Sequence, residues 1–545
     1  MISEVDFERN KKRWLYNAKD IQVVEVDNIL TEILACEDPS LQQFYAFQQA
    51  KVCKFASQLM LRGVPIDVEL KEALKVEFTA LQQHTLELLR WLVHDEEFNP
   101  DSTAQVKILF KELCGIKPEL DRKTKAESFG AKAMLVYLEE YPEWGYLLQL
   151  YLEYKRLGVF IRNFLNARIS PEGILYFWLK VAGTITYRMA CTKLLDGSGM
   201  NIQQLPSGAR GGFKLRACLQ GYREDEQEDS YEALVQDGVE ETEVKSIIDL
   251  GANFGRVKDL LIPPKGYYFY DPDYSAIDLH FVVYVADCKW AKEILVVKGD
   301  CVYRVMAEDY YGYLVTKKME ERQTFKAIIH GKDYRGGAVT LAAQAGLSVR
   351  KVLEILRIYD TRCPEIEQQL LKQEAQVERL GYVTSSFGAR LWIPDLKDNM
   401  WKNKAAAAPP QSSAGTLVNK GIARLEEGEN PTKFNRFAVW NEDGSFDRWG
   451  YSFNPEVKKG GSIQTLLQVH DSAPGIFRQD DVTAIVRIKE YFTIPLEING
   501  DIMTIPVDIK VSAKSYGQCN SELAKELFAK ADEYILNNPN WRNER

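Results

Sequence analysis

The chain has 545 residues, 46% apolar and 27% charged, a length that predicts three or four domains or subdomains and a composition, without any apolar run near the ~20 residues of a bilayer span, that excludes a helical membrane protein. Nine cysteines with no CxxC pair or regular framework exclude a disulfide scaffold or zinc ribbon and fit reduced thiols in a cytosol. The net charge of −9 argues at first against a nucleic-acid partner, but eleven acidic and two basic residues between Gly221 and Leu250 account for all of it, so the remaining body is neutral and global charge decides nothing about partners. The opening MISEVDFERNKKRW is charged throughout and has no apolar core of a secretory signal, so a cytoplasmic protein is expected. The first 200 residues read mainly as helices, with amphipathic stretches over Leu70 to Leu92 and Tyr146 to Phe164 expected to stand antiparallel. Between them FNPDSTAQVKILFKELCG predicts a turn and short helix, with Asn99, Asp101 or Ser102 as N-cap. Beyond Thr184 strand-like runs at YYFYDPDY, GYVTS and SIQTLLQVHDSAPGIF alternate with helical ones, which makes the fold class α+β. The stretch Glu427 to Gly461, rich in Gly, Asn, Pro and Asp, reads as a loop-rich surface insertion.

Three constellations carry chemistry. Asp273 ends the aromatic-rich strand YYFYDPDY, where a helical pattern begins near Ser275, and Asp471 falls between two apolar runs of LLQVHDSAPGIF that can pair as a hairpin and present it at the tip. Two such carboxylates brought to one sheet could hold a pair of Mg²⁺ ions for in-line phosphoryl displacement, although a lone Asp at a strand end is more often a turn or a cap. The third constellation is Arg322, Lys326, His330 and Tyr334, which recur every four residues in RQTFKAIIHGKDYRGG. On a helix each step of four drifts only about 40°, so the four side chains form a stripe roughly 18 Å long. Two cations followed by two rings suit a nucleoside triphosphate, and a solvated amphipathic face remains the structural alternative.

These residues resemble the motifs of family A DNA polymerases: DPDYSAIDLH resembles motif A, RQTFKAIIHGKDYRGG motif B and QVHDS motif C, in the family's order and spacing. GVPID, FNPDS, LEYKRL, TYRMA, NIQQLP, GYVTSSFGARLWIPD, APPQSSAG and IPVDIKVSAKSYG extend the resemblance from about Gln49 to Gly517. It implies a right-hand polymerase fold, with a helical thumb at 49–180, a palm at 181–287 and 395–545 built on an antiparallel sheet, and helical fingers at 288–394. It also implies template-directed addition of dNTPs to a primer 3′-hydroxyl by two-metal nucleotidyl transfer. Asp273 and Asp471, with the backbone carbonyl of Tyr274, become ligands for two Mg²⁺ ions, with Mn²⁺ as a substitute. Arg322 and the catalytic Lys326 grip the triphosphate, Tyr334 stacks by the templating pair, and Arg188, Asn201, Gln203, Gln411 and His470 contact primer-template DNA. Four positions depart from the family: Asp278 stands for the Glu that excludes ribose, His330 for the Phe or Tyr beside the incoming sugar, Ser472 for the Glu after the motif C aspartate, and Arg335 for the Gly after the motif B tyrosine.

Residues 1–48 contain YNAKDIQVVEVDNIL, in which Tyr16 and Asp20 resemble the Y-x3-D of a 3′→5′ exonuclease, with no D-x-E upstream. A truncated exonuclease-like remnant is therefore expected, without proofreading of its own and with a separate exonuclease subunit as a candidate partner. Compactness and divergence suit a phage-type enzyme, which would work in the host cytoplasm. Two other readings stay in view. A single-subunit RNA polymerase shares the motif layout and the His470-Asp471-Ser472 triplet, but places a very small residue at position 278 and lacks the NIQQLP and GYV-x3-FG-x-R segments. A catalytically silent DNA-binding subunit would have no use for intact Asp273, Asp471, Arg322 and Lys326.

Overall fold

The computed structural model describes residues 39–120, 126–181, 183–206, 254–316, 319–393, 395–398, 400–430, 435–440, 446–452 and 461–542. The exonuclease-like segment with Tyr16 and Asp20 and the acidic segment 221–250 lie outside them. The chain divides into two compact units, one of Pro65–Tyr176 and Lys193–Ile262, the other of Met1–Val64, Phe177–Thr192 and Pro263–Arg545.

The first unit is built on helices α1 (Val68–Val93) and α2 (Gly145–Phe160). Asp67 starts α1 because its carboxylate accepts from the Leu70 amide at 2.9 Å, satisfying one of the free N–H groups of the first turn. The helices run antiparallel: Phe78 packs against Phe160 with ring centroids 4.8 Å apart and planes tilted by 42°, while one turn later a Cβ on Gly158 would come within 2.7 Å of Gln82. Phe254 closes this aromatic cluster at 5.4 Å from Phe78 and 4.7 Å from Phe160. In the intervening segment Ser102 caps a short helix, Thr103–Lys107, and Asp101 ties the turn to α2 through Lys155 (2.6 Å) and Tyr154 (3.2 Å).

The second unit centres on a four-stranded antiparallel sheet of β1 (Tyr267–Tyr274), β2 (Ile463–Thr465), β3 (Gly475–Arg478) and β4 (Val507–Ser512), in the order β2-β3-β1-β4. Strand β1 continues through a left-handed Ala276 into α3 (Ile277–Ala286). Helices α4 (Glu320–Asp333), α5 (Val349–Arg362), α6 (Pro364–Leu380) and α7 (Trp401–Glu429) follow, and α8 (Ala484–Phe492) packs on α7. Close packing dictates glycines here. A Cβ on Gly475 would sit 2.2 Å from the Gln464 carbonyl oxygen, and one on Gly421 would sit 2.4 Å from the Phe492 ring.

Two local expectations are refined. The small-residue run APPQSSAG lies inside α7 despite Pro409 and Pro410, which lack the backbone donors of a regular helix, and in the next turn Ser413 Oγ donates to the Pro409 carbonyl at 2.8 Å and accepts from the Ser386 amide at 3.0 Å. The stretch Glu427 to Gly461 is more ordered than its loop-like composition suggests, since α7 runs to Glu429 and Asn435–Trp440 pairs antiparallel with Phe446–Ser452.

At the end of α4 the Asp333 carboxylate is buried, accepts a hydrogen bond from the Tyr359 hydroxyl at 2.9 Å, and has its pKa pushed up by burial to about 7. Because the folded value lies above the unfolded one, this group's stabilising contribution is complete below the ordinary carboxylate pKa and lost as pH rises through about 7. Asp333→Asn, which keeps the acceptor without the charge, is therefore expected to stabilise the protein at pH 8 by on the order of 4 kcal/mol and to change little near pH 4. Denaturant unfolding of both proteins across that range checks it; a difference independent of pH would contradict it.

Candidate active site

The site forms where β1, the hairpin tip before β3, α3, the Arg188 loop and α4 converge. Asp273 is the penultimate residue of β1 and pairs with Asp508 on β4, while an isolated bridge joins it to Ser472. The turn between β2 and β3 presents His470 and Asp471, with His470 in the left-handed region (φ 53) and its carbonyl held by Gln468 Nε2 at 2.9 Å. Asp278 lies in the first turn of α3.

Arg188 joins these carboxylates. It sits between the short paired strands Trp178–Lys180 and Ala190–Thr192, and its Nε donates to the Gln411 carbonyl of α7 at 2.9 Å. The side chain lies close across α7 because residue 415 is glycine, whose Cβ would come within 2.9 Å of Arg188 Cγ. Thus anchored, its Nη2 lies 3.3 Å from Asp278 Oδ1 and 3.7 Å from Asp471 Oδ1. Even so, burial pushes the Asp471 pKa up to about 6, with further upward pressure from the charges of Asp278 and Asp273, against Arg188 and Lys326.

Helix α4 carries the four-residue stripe. Phe325, Ile328 and Ile329 face the core, whereas Arg322, Lys326, His330 and Tyr334 are half-buried, so a freely solvated face does not describe them. Tyr334 stands one residue past the helix end, its ring centroid 4.4 Å from that of His330. Its hydroxyl oxygen is buried, and burial with the nearby Asp278 charge drives its pKa up. Burial lowers the His330 pKa, with the Asp278 charge opposing and Lys326 and Arg188 reinforcing the shift. Arg322 Nε is buried without a hydrogen-bond partner, and the buried Tyr303 senses both Arg322 and Asp278.

The second unit thus brings together Asp273, Asp471, Asp278, Arg188, Lys326, His330 and Tyr334. Tyr274, the last residue of β1, donates its hydroxyl to the Phe492 carbonyl at 2.6 Å. Asn201 and Gln203 belong to the first unit, where Asn201 Oδ1 accepts from the Gln203 amide at 3.1 Å. Sequence reading passed over Asp271 and Lys510. Asp271 accepts a hydrogen bond from the Ser472 hydroxyl, and Lys510 Nζ lies 3.4 Å from Asp273 Oδ2. The missed signal is strand periodicity, since residues 271 and 273 of one strand share a face.

Among the described residues no group of three or more His, Cys, Asp or Glu side chains is placed to hold a metal ion. The donor set is nevertheless suited to one: the carboxylate oxygens of Asp273 at the end of β1 and Asp471 in the adjoining turn are hard donors, and Asp471, whose ionisation is disfavoured first by burial and then by the charge of Asp278, is a group whose charged form a hard divalent cation favours.

The fold is that of a polymerase domain. It matches the POL domain of Pol1 from M. smegmatis, solved in complex with DNA primer-template and dNTP, with a TM-score of 0.63 over 87% of this chain and 71% of that one at 16% identity. The chain belongs to DNA polymerase family A, whose sequence model matches residues 68–513. Among curated relatives, DNA polymerase I of Pseudomonas aeruginosa is 23% identical over 237 residues, which cover 42% of this chain and 23% of that protein. DNA polymerase I of Mycobacterium leprae is 20% identical over 467 residues, 84% of this chain and 42% of its own length. The chain therefore matches less than half the length of each of these relatives. Among the described residues no helix is long and apolar enough to cross a membrane.

Proposed function

We propose that the chain is a template-directed DNA polymerase that adds dNTPs to a primer 3′-hydroxyl and releases pyrophosphate. The observation that carries this reading is the convergence of Asp273, Asp471 and Asp278 with Arg188 and the Lys326-His330-Tyr334 stripe, in a member of DNA polymerase family A.

Arg322 and Lys326 bind the triphosphate and orient it along α4, the half-buried position of the stripe strengthening each charge-assisted contact. The rings of His330 and Tyr334 flank the sugar and base of the incoming nucleotide, and Asp278, held by Arg188, stands against a ribose 2′-hydroxyl. Asp273 and Asp471, with the Tyr274 carbonyl, are the residues that would hold two Mg²⁺ ions, or Mn²⁺ in their place, and the chemistry such ions would supply is activation of the attacking hydroxyl and neutralisation of charge on the leaving pyrophosphate. Arg188, Gln411 and His470 contact primer-template DNA, as do Asn201 and Gln203 of the first unit. Minor-groove acceptors are nearly the same for every correct pair, so such contacts tolerate any sequence. The test supplies a primer-template with one dNTP at a time. Only the nucleotide complementary to the template should be added, and equal use of all four would overturn template direction.

Proofreading by these 545 residues is no part of this reading, because the exonuclease-like Asp20 of YNAKD cannot by itself assemble a two-metal hydrolytic site. The 545-residue chain is expected to leave a mismatched primer end intact in Mg²⁺ without dNTP. Trimming that survives Asp471→Asn but vanishes with Asp20→Ala would show a working nuclease site instead. A separate polypeptide bearing D-x-E is the partner that would complete such a site.

A further inference from the structure

Arg335 follows the stripe and occupies the left-handed region, with φ 61, where the chain leaves α4. Glycine takes that conformation freely, while a residue with a Cβ is disfavoured there unless its surroundings hold it. Here they do. Arg335 Nη1 contacts both carboxylate oxygens of Glu367 at 2.6 and 2.7 Å, and its Nε donates to Glu374 Oε1 at 2.7 Å, so the planar fork bridges two carboxylates about two turns apart on one face of α6. Each carboxylate has a second cation, Lys332 at 3.0 Å on Glu367 and Lys402 at 2.8 Å on Glu374. From α7, Asn403 Nδ2 donates to the Tyr334 carbonyl at 2.9 Å and to the Arg335 carbonyl at 2.8 Å. The turn itself is tight: the Gly336 amide donates to the Gly331 carbonyl at 2.7 Å, and a Cβ on Gly336 would meet that same oxygen at 2.7 Å.

We propose that Arg335 is a positioning residue for nucleotide selection: by forking onto Glu367 and Glu374 it fixes the backbone at 334–335, and thereby the Tyr334 ring, against α6 and α7. The inference rests on the role given to Tyr334 under Proposed function. A disfavoured backbone angle held by two ion pairs and a doubly donating amide costs the fold something, and the side chain it aims is Tyr334, whose hydroxyl faces Asp278 and whose ring lies on His330. Because Arg322, Lys326 and both candidate metal ligands lie elsewhere, loosening the clamp should alter which nucleotide is accepted more than how fast a bound one reacts.

Single-turnover incorporation of the correct and a mismatched dNTP, with hydrogen exchange at amides 331–336, tests it on Arg335→Gly, Arg335→Lys and the double variant Glu367→Gln/Glu374→Gln. Arg335→Gly should lower kcat/KM for the correct nucleotide about tenfold, chiefly through KM, with the mismatched nucleotide changed less than about threefold. Exchange at 331–336 should accelerate, Arg335→Lys should fall between, and the double glutamine variant should reproduce the loss without changing residue 335. The glutamine variant also decides the matter if Arg335→Gly does not fold. Unchanged exchange would overturn the clamp. Faster exchange with unchanged selectivity would overturn its link to selection. If instead Tyr334→Ala leaves selectivity intact, the role of Tyr334 itself is wrong, and the exchange data still judge the clamp separately.

Discussion

Asp273→Asn and Asp471→Asn should each abolish primer extension while leaving primer-template affinity within a few-fold. The amide keeps the size and one acceptor oxygen of the carboxylate but not the charge that binds a hard cation. Losing a metal clamp costs several kcal/mol of transition-state stabilisation, and since each 1.36 kcal/mol is tenfold, a loss of more than about a hundredfold is expected. DNA affinity is spread over many phosphate and sugar contacts and should barely respond. In the unloaded protein Asp471→Asn should do no harm to folding, because burial and the charges of Asp278 and Asp273 disfavour the ionised carboxylate. Extension rates and filter binding on the same preparations separate these effects. A variant that retains more than about a hundredth of the wild-type rate removes that residue from the reaction centre.

Lys326→Ala is expected to have the second largest effect. Burial dominates both shifts, raising the Asp471 pKa and lowering that of His330, but the Lys326 charge is close enough to oppose the first and reinforce the second, so its ammonium sits inside the site rather than on its rim. A point charge there acts on the bound triphosphate and on the charge that grows on departing pyrophosphate. Single-turnover rates should fall at least about tenfold even at saturating dNTP, because an interaction stronger in the transition state is not restored by filling the site. Full recovery at saturation would confine the lysine to ground-state binding.

How far the sequence reveals this site differs from one part to the next, for physical reasons. The α4 stripe is legible because helical geometry turns a spacing of four into one face, and Asp273 and Asp471 are legible because a strand end and a hairpin tip have local signatures. The Arg335 clamp and the Lys510 contact are not, since their partners arrive from other elements: Glu367 and Glu374 lie 32 and 39 residues from Arg335, and Asp273 lies 237 from Lys510. Only the register of β1 with β4 sets Lys510 opposite Asp271 and two pairs from Asp273, on the same face. The paired strands Asn435–Trp440 and Phe446–Ser452 were hidden by composition, because the Gly, Asn and Asp around them outweigh two short aromatic runs. Pro409 and Pro410 interrupt the local helical pattern of α7, and the contact that ties this stretch to the preceding turn, from the Ser386 amide to Ser413 Oγ, spans 27 residues.

The most direct test of the account is primer extension by the purified chain in Mg²⁺ with dNTPs, with rNTPs, or with neither. The account predicts template-directed extension with dNTPs, much weaker use of rNTPs because Asp278 stands at the sugar, and no extension by Asp273→Asn or Asp471→Asn. Preferential use of rNTPs would make the chain an RNA polymerase. Tight primer-template binding without extension by either nucleotide would make it a silent DNA-binding subunit, and either result would contradict the proposed function.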